Sequence, residues 1–135
     1  MLRRVQISLY TEVPLHEFKG VVLANVKAKA LKAPKPPPVV VVDVREPHEL
    51  VEDGHIPGAV NIPLGHLEED LLDHFKPDSH SIVFCCRSGR RSMTAIDIAE
   101  GHGFRASHYK GGNQGYQKDP VTDKDIAQFL KESEG

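Results

Sequence analysis

The sequence predicts a three-layer α/β domain, in which a mainly parallel β-sheet is flanked by helices on both faces. Val39-Val-Val-Val-Asp-Val44 is a continuous run of β-branched residues, which is typical of a central parallel strand buried on both faces. Segments of strand character alternate with segments of helical spacing along the chain, without internal repeats. At 135 residues the chain can bury one real core, so we predict a single domain over residues 1–135.

The elements follow from hydrophobic periodicity and from the positions of glycine and proline. Residues 32–38, Lys-Ala-Pro-Lys-Pro-Pro-Pro, cannot remain helical and are predicted to be an extended connector. The glycine-rich segment of residues 111–116 is predicted to be a loop at a strand's carboxyl end. We predict strands at residues 5–9, 39–44, 59–62, 82–85 and 107–110, and helices at residues 14–31, 46–51, 64–75, 90–101 and 126–131.

Composition excludes several classes of partner and cofactor. A net charge of −2, with 27% charged residues, gives no case for a nucleic-acid or acidic membrane partner, and no apolar run reaches transmembrane length. The eight histidines show no metal-ligand spacing, and no glycine fingerprint of a nucleotide site is present. We therefore predict no metal and no cofactor.

The two cysteines bear on the cellular compartment. Cys85 and Cys86 are adjacent and cannot build a disulfide framework, which favours a reducing compartment. The first ten residues have a slight mitochondrial-leader character, but Glu12 and Glu17 follow closely and a first strand explains the segment better. The expected compartment is the cytoplasm, and the mitochondrion stays open.

The chemistry is predicted to centre on Cys86. A short apolar strand ends there, and an arginine-rich turn containing Gly89 leads into a helix from about Arg90. This order builds an anion-binding cradle, because loop amides and the helix N-terminus converge on one point. Arginines at positions 87, 90 and 91 further favour the thiolate, so Cys86 is predicted to be a nucleophile. Cys85 alternates with it and is predicted to be a buried hydrophobe.

A second pair of charged residues is predicted at the same edge of the sheet. Asp43 and Arg45 stand where the valine-rich strand ends, and ligand crevices of open α/β sheets lie at the carboxyl ends of strands. We expect this pair to brace the loop structurally.

Four motifs follow one another along the chain: Asp43-Val-Arg-Glu-Pro47 with Glu49, Gly54-His-Ile-Pro-Gly-Ala-Val-Asn-Ile-Pro63, Cys86-Arg-Ser-Gly-Arg-Arg-Ser92 and Gly111-Gly112. Together they resemble the single-domain rhodanese-like, or thiosulfate sulfurtransferase, family over residues 39–116. The resemblance implies a five-stranded parallel sheet with helices on both faces. It also implies that Cys86 carries sulfur as a persulfide, taken from thiosulfate or a similar donor and passed to cyanide, a thiol or a protein thiol.

The resemblance also assigns roles around Cys86. Loop amides would hold the persulfide, with Arg87 and Arg90 contacting the donor and Arg91 bracing the loop through a carboxylate. Many relatives have a tryptophan soon after the glycine pair, and Tyr116 is expected in that place. The predicted binding loop is Arg87, Ser88, Gly89, Arg90, Arg91 and Ser92, and the predicted loop support or pocket wall is Asp43, Arg45, Gly112 and Tyr116.

Two other functions are weighed against sulfur transfer. A dual-specificity phosphatase or arsenate reductase loop needs an arginine at position 92, which is Ser92 here, and the shorter loop suits one sulfur atom better than a phosphate. A non-catalytic rhodanese-like module for partner binding or stress response usually lacks the cysteine, whereas this loop is intact. We expect a monomer, and leave open the physiological donor and acceptor.

Overall fold

The structure is a computed structural model that describes residues 10–134, and its centre is a parallel sheet. The strands lie in the order β2-β1-β3-β4, and all neighbouring pairs are parallel. The strands are β1 (Val39–Asp43), β2 (Val60–Asn61), β3 (Ser81–Cys85) and β4 (Arg105–His108), and the helices are α1 (Leu15–Ala30), α2 (Pro47–Asp53), α3 (Leu64–His74), α4 (Arg90–Gly101), α5 (Gly112–Lys118) and α6 (Asp123–Glu134).

Alternating side chains of the two central strands supply two cores, one on each face of the sheet. Val40 and Val42 of β1 pack with residues of α3 and α4, whereas Val41 packs with residues of α1. Successive residues of a strand point to opposite faces, so a strand buried on both sides must be apolar throughout. The predicted three-layer α/β class is confirmed.

Four strands are described where five were predicted. The predicted strand at residues 5–9 lies outside the described residues. Next to β4, Glu12 forms an isolated parallel bridge with His108, with hydrogen bonds from Val13 N to His108 O and from His108 N to Thr11 O. Pro14 follows at once and has no N–H to donate, so this pairing cannot extend before α1 begins.

The prediction of a loop at residues 111–116 is wrong, because α5 begins at Gly112. Tertiary bonds outweigh the glycine-rich composition here: Asn113 N donates to Cys86 O and Gln114 N donates to Arg87 O. The strand predicted at residues 107–110 is also displaced. β4 pairs with β3 from Arg105 to His108, which leaves residues 109–111 to turn back towards the Cys86 loop.

Candidate active site

Cys86 stands where β3 ends, at the start of a tight loop that closes when α4 begins at Arg90. The Gly89 N–H donates a hydrogen bond to Cys86 Sγ over 3.1 Å. Cys86 is 1% exposed, so the sulfur lies at the base of the loop. The residues that follow it in the loop, Arg87 and Ser88, are exposed. A backbone donor aimed at sulfur stabilises negative charge on it.

Gly89 can be only glycine in this loop. Its φ is +99°, in the left-handed region, and a Cβ there would collide with the carbonyl oxygen of Lys110. For both reasons, a residue with a side chain could occupy position 89 only if the loop shifted. The same backbone conformation turns the Gly89 N–H towards Cys86.

The loop carbonyls are bonded by partners that lie outside the loop. Asn113 N donates to Cys86 O over 2.7 Å, and Gln114 N donates to Arg87 O over 3.2 Å. Gly112, with φ +62°, permits this approach, because a Cβ there would overlap the Cys86 and Arg87 carbonyls. The start of α5 therefore supports the loop, which is the structural part of the role expected for Gly112.

Arg91 forms a two-fold ion pair with Glu49 of α2, with both N–O distances at 2.7 Å. The Arg91 guanidinium holds the pKa of the Glu49 carboxyl at about 2. This contact ties α2 to the first turn of α4 and is the one expected of a bracing arginine.

The other two arginines of the loop are differently placed. Arg87 and Arg90 are exposed, and neither forms an ion pair within residues 10–134. Arg87 also lines a cleft of about 190 Å³ with Asp53 and Asn113. Both guanidinium groups are therefore available to an anion, and donor contact by either stays a prediction.

Asp43 and Arg45 form a buried pair at the carboxyl end of β1. Arg45 Nη2 lies 2.7 Å from Asp43 Oδ2 and also donates to Gly54 O at 3.0 Å, while Arg45 Nε donates to both Asp43 oxygens. Asn61 Nδ2 donates to the backbone carbonyls of both residues. Neither side chain reaches the surface, so the pair joins β1, β2 and the segment at Gly54 rather than lining a pocket.

Tyr116 does not lie in a pocket wall in this structure. It is 1% exposed, its ring meets Phe18 edge-on, and its hydroxyl oxygen accepts the Val121 N–H. It belongs to the core on the α1 face. Cys85 is completely buried on that same face, and burial raises the pKa of its thiol well above the ordinary value.

Sequence reasoning missed two residues that contact the loop. Asn113 is buried and supplies the amide that holds the Cys86 carbonyl; its place directly after the glycine pair is the signal that could have identified it. His108 is buried with its Nδ1 2.6 Å from Ser92 Oγ, and no sequence pattern links those two residues. Within residues 10–134, no group of three or more histidine, cysteine, aspartate or glutamate side chains could hold a metal ion.

The fold and this loop define a rhodanese-like domain, and the chain belongs to that family: the family model for the rhodanese-like domain matches residues 26–119. A rhodanese domain-containing protein of Drosophila melanogaster is 39% identical over 99 residues, covering 64% of this chain and 89% of that protein. The thiosulfate:glutathione sulfurtransferase of Saccharomyces cerevisiae is 39% identical over 87 residues, covering 56% of this chain and 62% of that enzyme.

Among solved structures, the human single-domain sulfurtransferase TSTD1 is similar with a TM-score of 0.59 and 25% identity, covering 80% of this chain and 96% of that one. These relatives support a sulfurtransferase-type function for the chain. No helix within residues 10–134 is long and apolar enough to cross a membrane.

Proposed function

We propose that this protein is a sulfurtransferase that carries sulfane sulfur as a persulfide on Cys86. The donor is thiosulfate or a similar anion, and the acceptor is cyanide, a small thiol or a protein thiol. The observation that carries the proposal is the hydrogen bond from Gly89 N to Cys86 Sγ inside a loop whose carbonyls are bonded elsewhere. Such a loop favours a thiolate, and then a persulfide anion, at one fixed point.

In the first half-reaction the Cys86 thiolate attacks the outer sulfur of thiosulfate. A new S–S bond forms, the S–S bond of thiosulfate breaks with its electron pair going to sulfite, and Cys86 becomes a persulfide anion. Arg87 and Arg90 carry exposed guanidinium groups beside the loop, suited to the sulfonate end of the donor. Their positive charge would also stabilise the negative charge that develops on sulfite as the S–S bond breaks.

In the second half-reaction an acceptor nucleophile attacks the outer sulfur of the persulfide. The Cys86 thiolate leaves, and the acceptor gains the sulfur as thiocyanate or as a new persulfide. The Gly89 N–H remains bonded to the sulfur of Cys86, so it stabilises the leaving thiolate as well. The outer sulfur would project towards the exposed loop side chains, where an acceptor can reach it.

A phosphatase reading is disfavoured by the residue at position 92. Ser92 is completely buried and bonded to Gly89 and His108, so no guanidinium is present where a phosphatase loop requires one. The alternative, a non-catalytic module that binds a partner, predicts that the protein acquires no covalent sulfur from thiosulfate.

The test is the intact mass of the purified protein before and after incubation with thiosulfate, and again after cyanide is added. We expect a gain of one sulfur atom that cyanide removes. Cys86→Ala should never acquire it, whereas the matched variant Cys85→Ala should, because that thiol is buried on the opposite face of the sheet. A folded protein that gains no sulfur from thiosulfate or 3-mercaptopyruvate would refute the proposal and favour a binding module.

A further inference from the structure

A buried serine–histidine contact lies behind the Cys86 loop. Ser92 is in the first turn of α4 and His108 ends β4, and the two residues are 0% and 1% exposed. Ser92 Oγ lies 2.6 Å from His108 Nδ1 and 3.0 Å from the carbonyl oxygen of Gly89. The serine hydroxyl therefore connects the histidine ring to the residue whose N–H meets the Cys86 sulfur.

The hydrogen count favours one tautomer of His108. The Gly89 carbonyl can only accept a hydrogen bond, so both Ser92 contacts are hydrogen bonds at once only when the single hydroxyl proton points to Gly89 O. In that arrangement His108 Nδ1 carries a proton and donates it to Ser92 Oγ. His108 Nε2 is buried without a hydrogen-bond partner among residues 10–134, which suits a bare lone pair better than an N–H. Burial also lowers the pKa of the His108 ring, which favours the neutral form.

The backbone of His108 is held as firmly as its ring. Its N–H donates to Thr11 O, and its carbonyl accepts the N–H of Val13. Two residues further on, the carbonyl oxygen of Lys110 lies where a Cβ on Gly89 would collide with it. Residues 108–110 thus limit the position of Gly89 in two ways: His108 does so through the Ser92 hydroxyl, and Lys110 through its carbonyl oxygen.

We propose that His108 and Ser92 are positioning residues that orient Gly89, so that its N–H is aligned with the sulfur of Cys86 during sulfur transfer. The chain of bonds runs from His108 Nδ1–H to Ser92 Oγ, from Ser92 Oγ–H to Gly89 O, and from Gly89 N–H to Cys86 Sγ. Fixing the carbonyl of Gly89 restricts rotation of a glycine that has no side chain of its own to hold it. Neither positioning residue touches the substrate.

The catalytic part of this inference rests on the proposed sulfur transfer, but its structural part does not, so the two can fail separately. A long-range ¹H–¹⁵N correlation spectrum of the wild-type histidine rings reports the tautomer directly. We expect His108 to carry its proton on Nδ1. We also expect the Gly89 amide to exchange slowly with solvent in the wild type and faster in Ser92→Ala. A proton on His108 Nε2, or unchanged Gly89 exchange, would overturn the proposal even if sulfur transfer is absent.

Three substitutions at His108 separate positioning from simple packing. His108→Asn can place its amide nitrogen near the position of Nδ1, whereas His108→Gln extends its amide towards Nε2 and His108→Leu has no donor. We expect His108→Gln, His108→Leu and Ser92→Ala to lower the turnover of sulfur transfer roughly tenfold with little change in KM. This is less than the ~10²–10³ loss on deleting a donor outright. His108→Asn should retain most of the turnover.

If His108 only filled space, turnover would be higher in His108→Gln than in His108→Asn, because asparagine leaves the larger cavity. Equal or better turnover in His108→Gln than in His108→Asn would therefore refute the positioning role. His102→Gln is the matched control: this histidine caps the far end of α4, contacts Glu68 and should leave turnover and Gly89 exchange unchanged. If a variant unfolds, the wild-type tautomer still decides the structural part.

Discussion

Replacing Glu49 with glutamine should destabilise the protein by an amount that depends on pH. The carboxylate of Glu49 accepts two hydrogen bonds from Arg91, and its pKa falls from an ordinary 4.5 to about 2. A change of this size corresponds to roughly 3 kcal/mol of favourable interaction in the folded state. The side chain of Arg91 is 32% exposed, so solvent screening reduces the figure, and we expect about 2 kcal/mol.

The sign of the pH dependence follows from the direction of the shift. Because the Glu49 pKa is lowered by folding, its stabilisation is complete above the unfolded value of 4.5 and is lost as the pH falls from there through about 2. Urea unfolding of the wild type and Glu49→Gln should therefore differ by about 2 kcal/mol near pH 7, and the gap should narrow steadily below about pH 4.

Glu52, which lies on the same helix, provides a matched control for Glu49→Gln. Glu52→Gln removes an exposed carboxylate from α2 and should change the free energy of unfolding by less than about 0.5 kcal/mol. If Glu49→Gln is as stable as the wild type near neutral pH, or if the gap between them does not respond to pH, the ion pair with Arg91 does not join α2 to α4 as described.

Three further substitutions test the site. Asp43→Ala should lower the free energy of unfolding by about 3–5 kcal/mol in urea titrations, because it leaves a buried guanidinium unpaired; a loss below about 1 kcal/mol would contradict this. Gly112→Ala should slow sulfur loading, measured by intact mass, because its Cβ overlaps two loop carbonyls. Its control Gly20→Ala has open space and should load at the wild-type rate. Arg87→Ala and Arg90→Ala should raise the KM for thiosulfate more than they lower turnover, and an unchanged KM would exclude donor contact.

Local sequence patterns predicted the strands and helices that neighbouring residues in the chain determine. The valine-rich run at residues 39–44 is typical of a strand buried on both faces, and residues Val39–Asp43 form β1 at the centre of the sheet. The helix predicted at residues 90–101 has those bounds in the structure, because Gly89 ends the loop in the left-handed conformation and Gly103 ends the following turn in another.

Features that depend on long-range contacts could not be predicted in this way. The start of α5 is set by carbonyls of the Cys86 loop, more than twenty residues earlier in the chain, so its glycines indicated a loop. The contact between Ser92 and His108 requires the register in which β4 pairs with β3. The complete burial of Arg45 likewise depends on Asp43 and the Gly54 carbonyl meeting it from two different elements.

The loop around Cys86 prefers an anion because its carbonyls accept hydrogen bonds from other parts of the chain. Every peptide group has both a positive and a negative end, so a bare loop has no net preference for an anion. Here three carbonyls, those of Cys86, Arg87 and Gly89, accept bonds from Asn113, Gln114 and Ser92 respectively. With these negative ends engaged from outside, an N–H can face the sulfur. Asn113 and Gln114 at the start of α5, and Ser92 in the first turn of α4, thereby make the site suited to a thiolate or persulfide.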